Sequence, residues 1–183
     1  MTTAKYLFIA IPVHPAIRHA IAEWKQTWQD PPVRWMDEQD LHVTLVPPWL
    51  ESNPEECIDR LNRFVPPSFA HTIQFNRIRF GPTPRNPRLI WAEGPNASET
   101  LYIKQTIERW MSRPRDPRPF RTHLTLARFD PKIFSSFATQ KLNKPVDWRQ
   151  PIDRVALYES IRQESGVNYR ILAEKRFPEN TTS

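Results

Sequence analysis

His42-Val43-Thr44-Leu45 and His123-Leu124-Thr125-Leu126 decide how this chain folds. Each string is a His followed two residues on by a Thr, inside an apolar stretch. Side chains two apart on a β-strand share a face. Each string therefore presents an imidazole and a hydroxyl together. Val43 with Leu45, and Leu124 with Leu126, turn the other way into a core. Two such strands facing each other supply two acid/base groups and two hydroxyl donors, a set suited to attack on a phosphate ester.

The flanks of the two strings are alike in pattern. Lys5–Ile11 reads as a buried strand, His14–Gln29 as an amphipathic helix, and Leu41–Val46 as the first His-x-Thr strand, stopped by Pro47-Pro48. Arg88–Glu93, Ser98–Met111 and His123–Phe129 repeat strand, helix and His-x-Thr strand. The repeat is one of pattern, not of identity. It predicts two halves packed about a pseudo-twofold axis, with one His-x-Thr unit from each. Between and after them, Val33–Met36 reads as a short bridge and Pro54–Phe64 as a helix capped by Asn53. Ala70–Phe80 alternates as a strand. Ile133–Phe137 reads as a helical turn, and Val155–Tyr158 and Tyr169–Leu172 as strands joined through Gly166. The class expected is α+β, with mainly antiparallel sheets, helices outside and a central cleft. The expected unit is one domain of two lobes over 1–183.

Composition narrows the function. The net charge of +6 favours a polyanionic partner. With 3 glycines against 20 prolines there is no Gly-rich loop, so a P-loop or Rossmann nucleotide site is excluded. The single cysteine, Cys57, allows no intrachain disulfide and reads as structural. The apolar run Tyr6–Ile11 is too short for a membrane span and lacks the pattern of a secretory signal. The expectation is a cytoplasmic protein, monomeric and with no membrane attachment.

Of the five histidines, His14 sits at a helix start, His19 on that helix, and His71 beside a Thr that faces away from it. Only His42 and His123 carry the paired hydroxyl. A metal site needs three or four ligands in register. Neither histidine has them, and Asp40 reads as a loop acid. No metal and no cofactor are expected. Arg128, at the end of the second strand, is the candidate phosphate cation. Arg121 is a weaker one. Trp35 and Trp49 flank the first strand, where aromatic rings could stack a base, but core packing is the favoured reading for each.

On these residues the chain resembles the two-histidine (2H) phosphoesterase superfamily. The likeness is to its LigT/ThpR-like branch of RNA 2′,3′-cyclic phosphodiesterases, also called 2′-5′ RNA ligases. Tyr6–Ile11 is similar to that family's first strand. Val33-Arg34-Trp35 with Leu41–Leu45 is similar to its "VRW…LHLTL", and Phe120–Arg128 to its "FRPHITLAR". Val155–Ser160 with Gly166 and Tyr169 is similar to its "LYxS…G..Y". Two departures stand out. Val46-Pro47-Pro48-Trp49 replaces the usual "KFLG", and Thr122 replaces a Pro. The resemblance implies metal-independent hydrolysis of an RNA 2′,3′-cyclic phosphate end, such as that of a tRNA fragment, to a 2′-phosphate. It implies His42 as proton donor, His123 as proton acceptor, and Thr44, Thr125 and Arg128 as substrate-binding residues. Reversal would give 2′-5′ ligation. The alternatives are a phosphodiesterase for a small nucleotide cyclic phosphate or a 2′-5′ oligonucleotide, and a non-catalytic RNA-end binding module. The presence of both His and both Thr speaks against the last.

Overall fold

A computed structural model describes residues 4–30, 32–68, 71–163 and 166–178. The first strand, β1 (Lys5–Pro12), is buried along nearly all its length, as its unbroken apolar run requires. It leads into α1 (Pro15–Lys25), whose start is set by Pro15 and by the His14 side chain accepting from the Ala16 N–H. The helix is shorter than its apolar spacing suggests. The N–H groups of Thr27 and Trp28 bond three residues back, tightening the chain into a turn. Trp28 there meets Trp35, Phe80 and Phe137 edge-on.

Next come β2 (Arg34–Trp35), β3 (His42–Glu51) and α2 (Pro54–Arg63), the last capped by the Asn53 carboxamide. Then follow β4 (Thr72–Thr83), β5 (Asn86–Glu93), α3 (Ser98–Trp110) and β6 (His123–Arg128). The chain closes with β7 (Asn143–Pro151), β8 (Arg154–Gln163) and β9 (Gly166–Arg176). Ala70, read as the start of a strand, lies outside the described residues. Pro47-Pro48 does not stop β3. That strand is the edge of its sheet, where a missing N–H costs no ladder bond, and the register shifts between its Trp49 and Val46 pairings. The sequence reading has no β7, because its prolines and charges hide the alternation. It too is an edge strand.

The strands form two sheets with antiparallel neighbours, ordered β3-β1-β8-β9 and β2-β6-β5-β4-β7. Leaving out the two-residue β2, the orders correspond strand for strand. In one sheet Pro12 pairs with His42 and Ala10 with Thr44. In the other Glu93 pairs with His123 and Trp91 with Thr125. The correspondence extends to an irregularity. One step along β1, from Ala10 to Ile9, spans two residues of β3, from Thr44 to Val46. One step along β5, from Trp91 to Ile90, likewise spans two residues of β6, from Thr125 to Ala127. Each His-x-Thr strand therefore bulges at the Leu after its Thr. One apolar cluster takes side chains from both sheets, including Ile9, Val43 and Leu45 from the first and Ile78, Ile90, Leu124 and Leu126 from the second.

Candidate active site

Alternation puts Val43, Leu45, Leu124 and Leu126 in the core and leaves His42, Thr44, His123 and Thr125 half-buried on the opposite faces. β3 and β6 touch across the seam between the sheets, so the two motifs meet there. The two rings are close enough for His123 to influence the titration of His42.

Both imidazoles are held in the same way. His42 Nδ1 lies 2.6 Å from the Asp40 carbonyl oxygen, and His123 Nδ1 lies 2.8 Å from that of Arg121. A carbonyl oxygen only accepts, so each Nδ1 carries the hydrogen and donates. Nε2 is then the atom each ring offers, as a base when neutral and as an acid when protonated. His42 sits in an aromatic box, with ring centroids 4.9 Å from Phe8, 5.5 Å from Tyr158 and 5.0 Å from Tyr169. His123 leans on Trp91 at 4.7 Å. The Trp91 ring in turn lies over Gly81, where any Cβ would come within 2.5 Å of it.

Arg128 is five residues after His123 and in a regular strand would face away from it. The bulge at Leu126 reverses the alternation, which buries Ala127 and returns Arg128 to the histidine face. Its charge is felt by both rings. Burial drives the His42 ring down to about 4, the Asp40 carbonyl opposes this, and Arg128 and His123 add to the depression. His123 is also lowered, first by burial and then by Arg128 and Arg121, against the Arg121 carbonyl and Glu93. At rest near neutral pH the site holds two neutral imidazoles.

Beside the motifs opens a cleft of about 470 Å³. Its lining includes Thr44, His123 and Trp91 together with Pro47, Pro48 and Phe120. Arg121 is exposed at this cleft and donates to the Pro82 carbonyl. Trp35 packs edge-on to Trp24 and Trp28, and Trp49 bonds Glu51 under the Arg113 guanidinium. Cys57 is buried beside Glu51, and burial, then that carboxylate, push its thiol up to about 11, so it stays protonated.

The sequence reading missed Trp91, Phe8 and Asn96. Their signal is register, which one strand read alone does not carry. Asn96 accepts from the Thr122 N–H at 2.8 Å and donates to the Phe120 carbonyl at 2.8 Å, pinning the residues that lead into His123. Among the described residues, no group of three His, Cys, Asp or Glu side chains gathers as a metal site. No helix of the described residues is long and apolar enough to cross a membrane.

Known structures share this fold over nearly the whole chain. A phosphoesterase crystal structure aligns with a TM-score of 0.74 at 22% identity, covering 97% of this chain and 100% of the other. The protein TT0787 of Thermus thermophilus aligns at 0.74 and 19% identity, covering 94% and 97%. E. coli LigT in complex with 3′-AMP aligns at 0.72 and 21% identity, covering 97% and 100%. A search among curated proteins found no match. The family profile of the 2′-5′ RNA ligase superfamily matches residues 12–164, which hold both His-x-Thr strands. The chain belongs to the 2′-5′ RNA ligase superfamily.

Proposed function

We propose that this chain hydrolyses the 2′,3′-cyclic phosphate at an RNA 3′ end to a 2′-phosphate, by acid/base catalysis between His42 and His123 and without a metal ion. The observation that carries this reading is the pair of imidazoles on facing strands. Each is fixed through Nδ1, each offers Nε2, and they share the charge of Arg128. His123 Nε2 takes a proton from water as the water oxygen bonds to phosphorus. The bond from phosphorus to the ribose 3′-oxygen breaks, and His42 Nε2 gives its proton to that oxygen. The order of the two roles follows the family resemblance. The negative charge of the bound phosphate favours imidazolium, and so offsets the depression that keeps the resting rings neutral. The Thr44 and Thr125 hydroxyls donate to the non-bridging oxygens, and Arg128 balances their growing charge. Run backwards with a 5′-hydroxyl in place of water, the same steps form a 2′-5′ linkage. E. coli LigT, crystallised with 3′-AMP and with phosphate, supports a nucleotide end as ligand.

The test is product analysis with EDTA present. A short RNA ending in a 2′,3′-cyclic phosphate is incubated with the wild-type protein and with His42→Ala and His123→Ala. The expected result is conversion to the 2′-phosphate by wild type, slowed about 10²–10⁴-fold in each variant. An intact cyclic end in the presence of bound wild-type protein would overturn the reading.

A small-nucleotide substrate is the second reading. The cleft beside His123, at about 470 Å³, falls in the range that encloses a single small ligand.

A further inference from the structure

The cleft beside His123 has a continuation. Lys104, Asp116, Arg118, Pro119 and Phe120 line both it and a second cavity of about 470 Å³. That second cavity runs along α3, past Leu101, Gln105 and Glu108, to Arg115. The two share these residues as one groove of two compartments, and His123 lines only the first. The rim of the groove is the segment Arg115-Asp116-Pro117-Arg118-Pro119-Phe120-Arg121. Two prolines, Pro117 and Pro119, fix φ within it, so its arginines are held at set spacings and lose little freedom on binding.

The charges of this groove are out of balance. Lys104, Arg115, Arg118 and Arg121 face only Glu108 and Asp116. Arg118 is paired with Asp116, while Arg115 is exposed and has no ion-pair partner among the described residues. Lys104 is only 6% exposed, a costly place for an ammonium. Glu108 takes one of its three donors, the Phe120 ring lies 6.0 Å away, and Asp116 is within its electrostatic reach. A buried lysine and two arginines on a rigid rim suit an anion that arrives attached to something in the first compartment.

We propose that the second cavity is a phosphate subsite for the nucleotide on the 5′ side of the reacting one, with Lys104, Arg115 and Arg118 as its cations. It rests on the function proposed above and makes single-stranded RNA, not a free nucleotide, the better substrate. The cyclic phosphate sits at the histidines, its nucleoside fills the first compartment, and the preceding phosphodiester reaches the second.

The experiment compares kcat/KM on cytidine 2′,3′-cyclic phosphate and on a short single-stranded RNA with the same end. Wild type is set beside the double variant Arg115→Ala, Arg118→Ala, with melting curves to establish that both are folded. The expected result is a wild-type preference for the RNA that falls about tenfold in the variant, on the scale of about 1.4 kcal/mol per decade. The slope of log kcat/KM against log salt on the RNA should shrink by about 1.4, at about 0.7 per lost single-strand contact. Turnover of both substrates with an unchanged ratio and slope in the variant would overturn the subsite and leave the proposed function standing. Turnover of neither would overturn the proposed function. The subsite is then read by binding alone, using anisotropy of a labelled RNA with a 3′-phosphate. Weaker binding by the variant supports the subsite, and equal binding overturns it.

Discussion

His42 and His123 are each tethered by the carbonyl two residues behind, and each keeps only Nε2 for chemistry. What sets their proton affinity is burial and, shared between them, Arg128. A pair that works as acid and base is productive with one proton between its two rings, so kcat/KM follows a bell between the two values. His42 is held near 4 and His123 is also lowered, so the bell should peak below the ordinary histidine value of 6.5. Replacing Arg128 by Gln removes a positive charge from both. Imidazolium then becomes easier to form, both limbs move to higher pH, and the peak falls about 10²-fold as the phosphate loses its cation. A pH–rate profile of Arg128→Gln on a mononucleotide cyclic phosphate measures this. An unmoved bell, or one displaced to lower pH, would show that Arg128 does not face the rings.

At the scale of the strand, the bulge after each Thr decides what else joins the site. In β6 it brings Arg128 round, and in β3 the bulge at Leu45 does the same for Pro47, which lines the cleft. The two halves thus differ in charge at equivalent positions. Pro47→Arg should add a second cation opposite the first. The expected result is a bell moved to lower pH and a smaller KM for the anionic substrate, with melting unchanged to within about 0.5 kcal/mol at an edge position. If Pro47 pointed into the core instead, the arginine would be buried unpaired and the protein would lose several kcal/mol. A melting curve beside the pH profile separates the two. The same bulges mark where sequence reading ends. His42, Thr44, His123 and Thr125 were legible because a period of two is local. The side of Arg128 was not, because a bulge is visible only against the partner strand. Pro47-Pro48 reads as a stop signal for the same reason, since only the sheet order reveals β3 as an edge. The helices α2 and α3 were legible in place and length, and α1 in place only, because the turn after it is set by the distant aromatic partners of Trp28.

For the whole molecule, the repeated pattern of strand, helix and His-x-Thr strand foretold two similar sheets. It did not foretell that their strand orders correspond, because that depends on β8 and β9 from the far end of the chain. Phe8, Tyr158 and Tyr169 of its own sheet enclose His42, and this links the site to global stability. His42 has an ordinary value of 6.5 and is held at about 4 when folded. Below pH 6.5 the unfolded chain takes up a proton that the folded one refuses. The stabilisation is therefore complete above 6.5 and is lost as pH falls toward 4, amounting to roughly 3 kcal/mol at most. His123 and His71, both lowered by burial, act in the same direction. Asp40 is raised by burial and by Asp37, so it favours the folded state at low pH and offsets part of the loss near the carboxylate range. Growing positive charge on a chain already at +6 adds a general repulsion. The variant His42→Phe isolates the histidine contribution, because its ring suits the box of Phe8, Tyr158 and Tyr169 and carries no proton. Between pH 7.5 and 4.5 the Tm of wild type should fall further than that of His42→Phe, by roughly 5–10 °C for a chain of this length. Parallel Tm curves would mean that His42 is no harder to protonate in the folded protein than in the unfolded chain, and the neutral resting pair would have to be given up.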